Sequence, residues 1–393
     1  MGVATETKPM VINMGPQHPA THGVLRLVVE LDGEVVRSVS PEIGYLHTGF
    51  EKSGESLRYQ QACTLTDRMD YLSPHANNLA YVLAVEKLMG LEVPPRARLL
   101  RILFAELGRI ASHLVWLGTH AMDIGAQGLF FYCFREREKI LDMVEASAGV
   151  RLNPSYFRIG GVMRDVPEGF ETMVREFVDE LPQWMASYRA LLDRNPIWRE
   201  RLVGNAVIDA QTCARYGVTG PILRAAGVNR DLRKVSPYLG YETFEFDVPV
   251  FTHGDSYDRY QVRLAEMMES RRIVYQVLER LEPGPVAVDD WKVAPPPKEY
   301  LGRDMEALIH HFKLFTQGFH VPAGEAYAGV EGPRGEIGFY VVSDGGAKPY
   351  RFRPRTPSFF NLQALPTMTV GSLVADVITA IGSIDIVLGD VDR

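Results

Sequence analysis

The 393-residue sequence predicts an α+β chain, predominantly helical, in which a long-helix bundle is flanked by a small N-terminal β-hairpin region and a C-terminal β-hairpin segment. Three observations carry this. Between Val24 and Val39 apolar and polar residues alternate, and Asp32-Gly33 breaks the alternation as a tight hairpin turn would. From Pro74 to Ala148 apolar residues recur at helical spacing instead. After Gly318 the β pattern returns. The expected regions are therefore a β-rich segment over 1–52, a helical bundle over 53–320 and a mixed β-hairpin and helix segment over 321–393.

The first element is a loop, Gly15-Pro16-Gln17-His18-Pro19-Ala20-Thr21-His22-Gly23. Pro16 and Pro19 fix their own φ and push the preceding residues toward extended backbone, so a helix is excluded. His18 and His22 stand at the spacing of a helical metal pair, but without a helix that argument fails. The loop feeds a strand in which Leu25, Leu27, Val29 and Leu31 share one face. The return strand, Glu34 to Val39, leads into a second loop, Ile43-Gly44-Tyr45-Leu46-His47-Thr48-Gly49.

Ser73-Pro74 reads as an N-cap followed by proline at the first helical position, opening a helix that runs to Gly90. A long helix from Arg96 to about Ile124 carries Leu99, Ile102, Leu103, Leu107, Ile110, Leu114 and Leu117 as its apolar stripe, and Gly125 stops it. Further helices are expected from about Leu129 to Ala148, Glu168 to Asp193, Asp255 to Leu281 and Arg303 to Phe315. Short connections make them antiparallel neighbours. Glu282-Pro283-Gly284-Pro285 and Ala294-Pro295-Pro296-Pro297 punctuate without being long enough to tether separate domains. Glu336 to Ser343 is a strand, Asp344-Gly345-Gly346 a turn and Tyr350 to Arg353 a partner strand.

Composition removes whole classes of function. A 46% apolar content supports a large core, and a net charge of -7 with dispersed basic residues offers no nucleic-acid footprint. No secretory pattern and no apolar run of membrane-spanning length occur, so a soluble or peripheral cytoplasmic chain is expected. The three cysteines, Cys63, Cys133 and Cys213, are scattered and cannot form a tetrathiolate zinc or iron–sulfur site. Neither a Gly-rich phosphate loop nor a Gly-x-Ser-x-Gly elbow is present. What remains is proton-transfer chemistry. His113, beside Arg109 and Glu106, reads as a structural polar contact, and His310-His311 as a surface pair with one satisfied interior ring. Asp67-Arg68-Met69-Asp70-Tyr71 falls in a turn between two helices, either as a capped junction or with side chains projecting from a bundle end. Asp123 ends the long helix, where a carboxylate opposes the helix dipole and calls for a partner. A histidine of the opening loop is one that the sequence offers.

Four motifs carry a resemblance to a known family. They are Gly15 to Gly23, Ile43-Gly44-Tyr45-Leu46-His47-Thr48-Gly49-Phe50-Glu51-Lys52, Arg68-Met69-Asp70-Tyr71 and Ser343-Asp344-Gly345-Gly346. From Met10 to the terminal Asp390-Val391-Asp392-Arg393 the chain resembles the D subunits of bacterial NADH:quinone oxidoreductase, respiratory complex I. That family is in turn similar to the large subunits of nickel-iron hydrogenases, whose two thiolate pairs are missing here. The resemblance implies a hydrogenase-like fold and a core subunit on the cytoplasmic face of the bacterial membrane, active only in an assembled, proton-translocating complex. It implies a quinone headgroup site shared with an iron–sulfur subunit that carries the terminal cluster, and contacts with other peripheral-arm and membrane-arm subunits. The chain itself would hold no cluster, metal or nucleotide. Matched by motif, His22 and Tyr71 would hydrogen-bond the quinone carbonyls, Asp123 would pair with His22, and Arg68 would lie near the partner's cluster. A reduced quinone must take two protons, and an imidazolium and a phenol are suitable donors. His18 would then be a structural member of its loop. Thr48 stands where an arginine is common in the family, and Asn153 where many relatives carry a histidine that links cluster potential to pH; with asparagine there, the neighbouring cluster's potential should vary less with pH. The rival expectations are a non-catalytic scaffold of the arm interface and the same subunit in a complex fed by ferredoxin.

Overall fold

The Asp32-Gly33 turn closes the expected hairpin, but in this computed structural model, which describes residues 9–18 and 23–393, β structure begins earlier. An edge strand, β1 (Met10–Met14), runs antiparallel to β2 (Arg26–Asp32), with Met10 opposite Leu31 and Met14 opposite Leu27. On its other side β2 pairs with β3 (Val35–Glu42), Arg26 facing Glu42. β1 shows no legible alternation because Met10 and Val11 face solvent and only Met14 is buried. On β2 the alternation holds: Leu27, Val29 and Leu31 are all buried.

The helices follow the predicted pattern closely: α1 (Tyr59–Thr66), α2 (Pro74–Met89), α3 (Pro95–Asp123), α4 (Gln127–Ala148), α5 (Phe170–Leu192), α6 (Ser256–Arg280) and α7 (Met305–Thr316). Pro74 opens α2 as expected, although the Ser73 side chain makes no capping hydrogen bond. α3 packs between α4 and α6. Its apolar stripe is buried apart from half-buried Leu99, and so is the polar face beside it: Arg101, Glu106, Arg109, Ser112 and His113 are all inaccessible. That polar face meets buried ions rather than water. Glu106 accepts hydrogen bonds from Arg233 at 3.1 Å, Ser270 at 2.6 Å and Tyr241 at 2.7 Å. Burial alone would raise the Glu106 carboxyl, but Arg233 and Arg109 outweigh it and hold it at about 2. His113 is the structural contact expected of it, with Glu266 of α6 as its partner at 2.9 Å. On α7, His310 stands 3.6 Å from Glu306, and the ring of His311 lies against Phe315.

A second antiparallel sheet joins β4 (Gly324–Gly332), β5 (Gly335–Ser343) and β6 (Arg351–Arg355), with β5 in the centre. β4 is not legible in the sequence because glycine, alanine and glutamate dominate it. Glycine is required opposite it: a Cβ at Gly338 would lie 2.1 Å from the Tyr327 hydroxyl, whose ring lies across the strand pair. Val330, Ile337, Phe339, Val341 and Phe352 from this sheet enter the bundle core. The N-terminal sheet builds a second core, in which Leu25, Leu27 and Val29 pack with Ile222, Leu365 and residues of α8 (Val374–Ile384) and α9 (Leu388–Asp392). The late part of the chain thus returns to its beginning, and the Val36 amide donates to the Ser372 carbonyl at 2.9 Å. Among the described residues, no helix is long and apolar enough to cross a membrane.

Candidate functional site

The turn between α1 and α2 carries Asp67 to Tyr71, and both readings of it hold together. Asp70 caps the junction, its Oδ1 accepting from the amides of Leu72 at 3.1 Å and Ser73 at 3.2 Å. Its Oδ2 accepts from Arg334 Nη1 at 2.7 Å, a pair sealed from solvent. Asp67 fixes the other side of the turn by accepting from the Ser155 amide and hydroxyl, each at 2.5 Å. Burial pushes Asp67 up to about 6 against the Ser155 bonds. Between these two anchored carboxylates Arg68 is exposed, donating to the Thr64 carbonyl. Tyr71 keeps 42% of its surface accessible. Partial desolvation of the phenol, then the Asp70 charge, raises its pKa above the ordinary value.

Asp123 is the last residue of α3. Much of the residue meets solvent, yet its carboxyl is flanked by protein, and that desolvation pushes it up to about 6. The partner that opposes the rise is the His18 imidazole. His18 is therefore near the end of the long helix. His18, expected to be only a structural member of the loop, is the ring within electrostatic reach of Asp123; His22 lies outside the described residues. Helix α3 and the turn that carries Tyr71 are tied together through residues 382–385. Trp116, on α3, donates to the Gly382 carbonyl at 2.7 Å, and Asp385 accepts from Arg334 Nη2 at 3.2 Å, the same guanidinium that holds Asp70.

The second loop is held by the C-terminal segment. Asp392 accepts from the amides of Gly44 at 2.9 Å and Leu46 at 2.6 Å, and His47 Nδ1 contacts the Asp392 carbonyl at 2.7 Å. Ile43, Tyr45 and Thr48 are left facing outward. The same segment packs on the Tyr71 turn: a Cβ on Gly389 would lie 2.6 Å from the Met69 carbonyl oxygen. Gly389→Ala should destabilise the chain by about 1–3 kcal/mol, because the clash is with backbone that cannot rotate away. A thermal unfolding midpoint equal to that of the wild type would refute this. Ser343-Asp344-Gly345-Gly346 forms its turn, Asp344 Oδ1 accepting from Gly346 N at 2.9 Å, and with Lys52, Glu55, Lys348 and Tyr350 borders an open cavity of about 600 Å³. Asn153 holds a left-handed backbone, φ +52°.

Sequence reasoning gave no role to Arg334, Asp385, Asp390 or Asp392. A signal was there. In Ile384-Asp385-Ile386-Val387-Leu388-Gly389-Asp390-Val391-Asp392 three acids interrupt an otherwise apolar run that is buried throughout. Acids in such a run require partners.

Comparison with known proteins places the chain. The family described as respiratory-chain NADH dehydrogenase, 49 kDa subunit, matches residues 123–393. The chain is 58% identical over 394 residues to the D 2 subunit of the NADH-quinone oxidoreductase of Roseiflexus sp. strain RS-1, covering 100% of this chain and 94% of that one. It is 59% identical to the D 1 subunit of Roseiflexus castenholzii, over 98% of this chain and 93% of the relative, and 55% identical to the D subunit of Citrifermentans bemidjiense, over 98% and 99%. The chain therefore belongs to the family of the 49 kDa, or D, subunits of NADH-quinone oxidoreductase.

Proposed function

We propose that this chain, joined to an iron–sulfur partner subunit, forms the site where a quinone headgroup receives electrons and takes its protons from Tyr71 and His22. The observation that carries the proposal is an accessible phenol on a turn made rigid from beneath by the buried Asp70–Arg334 pair. A proton donor has to be both reachable and fixed, and Tyr71 is both. Exposed Arg68 on the same turn supports docking of the partner's cluster on that side, where a fixed cation favours the reduced form. The long-helix core supports kinship with nickel-iron hydrogenase large subunits. The subunit names of the relatives support assembly into a multi-subunit NADH-quinone oxidoreductase; on this reading the chain sits among peripheral-arm and membrane-arm subunits at the cytoplasmic face of the membrane, where headgroup protonation would be coupled to proton translocation.

Asp123 supplies the pH dependence. Ionised, it favours a protonated imidazole in the opening loop; protonated, it does not. Its carboxyl titrates at about 6, so quinone reduction by the assembled complex should fall as pH drops through that value. In Asp123→Asn the limb should be missing and the rate low throughout. An acid limb unchanged in Asp123→Asn would show that the carboxylate takes no part.

A further inference from the structure

Delivery of the Tyr71 proton to a reduced headgroup leaves a phenolate that has to be reprotonated before the next turnover. Behind Tyr71 lies a buried group of acids that this chemistry has not yet used. Arg334 donates through Nη1 to Asp70, through Nη2 to the Asp385 carboxylate and through Nε to the Asp385 carbonyl at 2.8 Å. Asp390, on α9, is fully inaccessible; its Oδ2 accepts from the Ser358 amide at 3.1 Å, and its Oδ1 is buried without a hydrogen-bond partner. Asp385 Oδ2 is likewise unpartnered. From α6, Arg263 faces Asp385, its Nε and Nη2 buried without acceptors and its Nη1 on the Ser383 carbonyl at 2.9 Å. The neighbouring charges are engaged elsewhere: Asp392 on the Gly44 and Leu46 amides, Arg393 near Glu51, and Glu266 on Arg224 and His113. Three carboxylates, Asp70, Asp385 and Asp390, thus share two guanidinia, Arg334 and Arg263. An uncompensated buried carboxylate is costly, and one proton balances the group.

We propose that Asp390 and Asp70, set around Arg334, hold one exchangeable proton and return it to Tyr71. The inference rests on Tyr71 being the headgroup's proton donor. The phenol lies within electrostatic reach of both Asp70 and Arg334. In the transfer a carboxylic O–H bond breaks and the phenolic O–H bond forms; no electron moves, and the cluster regains its proton from solvent. Burial and then the Asp70 charge push Asp390 up to about 7, so the reserve is filled below neutrality and empties above it. Asp390 acts through Tyr71, as a positioning and proton-supplying residue, and does not itself touch the headgroup.

The test uses the assembled complex carrying Asp390→Asn, Asp390→Glu or Tyr71→Phe, with NADH-driven reduction of a water-soluble quinone measured across neutral pH and ferricyanide reduction as the control. In the wild type kcat should decline as pH rises through about 7. Asp390→Asn should lower kcat by about 10²-fold, the lower end of what a placed proton donor contributes, and abolish that limb while ferricyanide reduction is unchanged. Asp390→Glu should restore the limb. The infrared difference spectrum should lose a protonated-carboxyl C=O band in Asp390→Asn alone. Wild-type kcat and limb in Asp390→Asn, with Tyr71→Phe inactive, would overturn the relay and leave the Tyr71 assignment intact. Equal losses in the Asn and Glu variants with the limb retained would make Asp390 structural. Full quinone turnover in Tyr71→Phe would overturn both.

Discussion

Complex assembled with Tyr71→Phe should reduce quinone at least about 10²-fold more slowly than the wild type, with NADH still reducing the iron–sulfur chain at its normal rate. The substitution removes one oxygen from a ring that is already partly exposed, so it takes away the proton without taking away packing. The turn stays fixed because its anchors are the Asp70–Arg334 pair and the Asp67–Ser155 bonds, and neither involves the phenol. The loss should appear in kcat, since the proton is needed only as charge develops on the headgroup. His22→Ala should give a comparable loss. Quinone turnover that survives both substitutions would make the subunit a scaffold whose neighbours bind quinone, and absent NADH oxidation in the purified wild-type complex would point to a different electron donor.

Arg224→Met should destabilise the chain by about 3–5 kcal/mol, a large share of the roughly 5–15 kcal/mol that holds a domain folded. Arg224 is fully buried, donating to Glu266 at 2.6 Å and Glu331 at 2.8 Å, with Asp231 at 3.9 Å. Burial opposes its charge, but Glu266, Glu331 and Asp231 together raise its pKa above the ordinary value. Methionine fills the volume and leaves the three carboxylates without the guanidinium they face. Glu266, now held well down chiefly by Arg224 against its own burial, would rise, and His113 would lose the ionised partner that supports it. The expected readout is a lowered thermal midpoint and poor accumulation of the subunit. Arg272→Ala, which breaks an exposed 3.3 Å pair with Asp247, should change neither. Equal effects from the two would mean that the buried network contributes no more than a surface pair.

The long helices were legible because their apolar spacing is strong and their ends are marked by Pro74, Gly90, Gly125 and Gly149. Strands β1 and β4 were not: one leaves Met10 and Val11 exposed at a sheet edge, and the other is dominated by glycine, alanine and glutamate. The candidate site was marked by motif and only partly by physics. Asp123 signalled itself as an acid at the wrong end of a dipole, and among the described residues the imidazole within electrostatic reach of it is that of His18. Arg334 carried no signal, because nothing in Pro333-Arg334-Gly335 shows that a turn between two strands will insert a guanidinium between residues 70 and 385. Such pairings depend on sequence separations of 264 and 51 residues, which periodicity cannot encode.

The Asp392 clamp on Gly44 and Leu46 also has a temporal meaning. It joins residues 348 and 346 positions apart, and Gly389 closes over Met69 across a similar span. Contacts of such high sequence separation form late, after the loop-closure entropy of the whole bundle has been overcome. During synthesis the loop at Gly44 and the turn at Tyr71 emerge long before α9 and remain unclasped until α9 has left the ribosome. A partner that recognises the clasped geometry would therefore dock only on chains in which α9 has already folded back onto the loop and the turn.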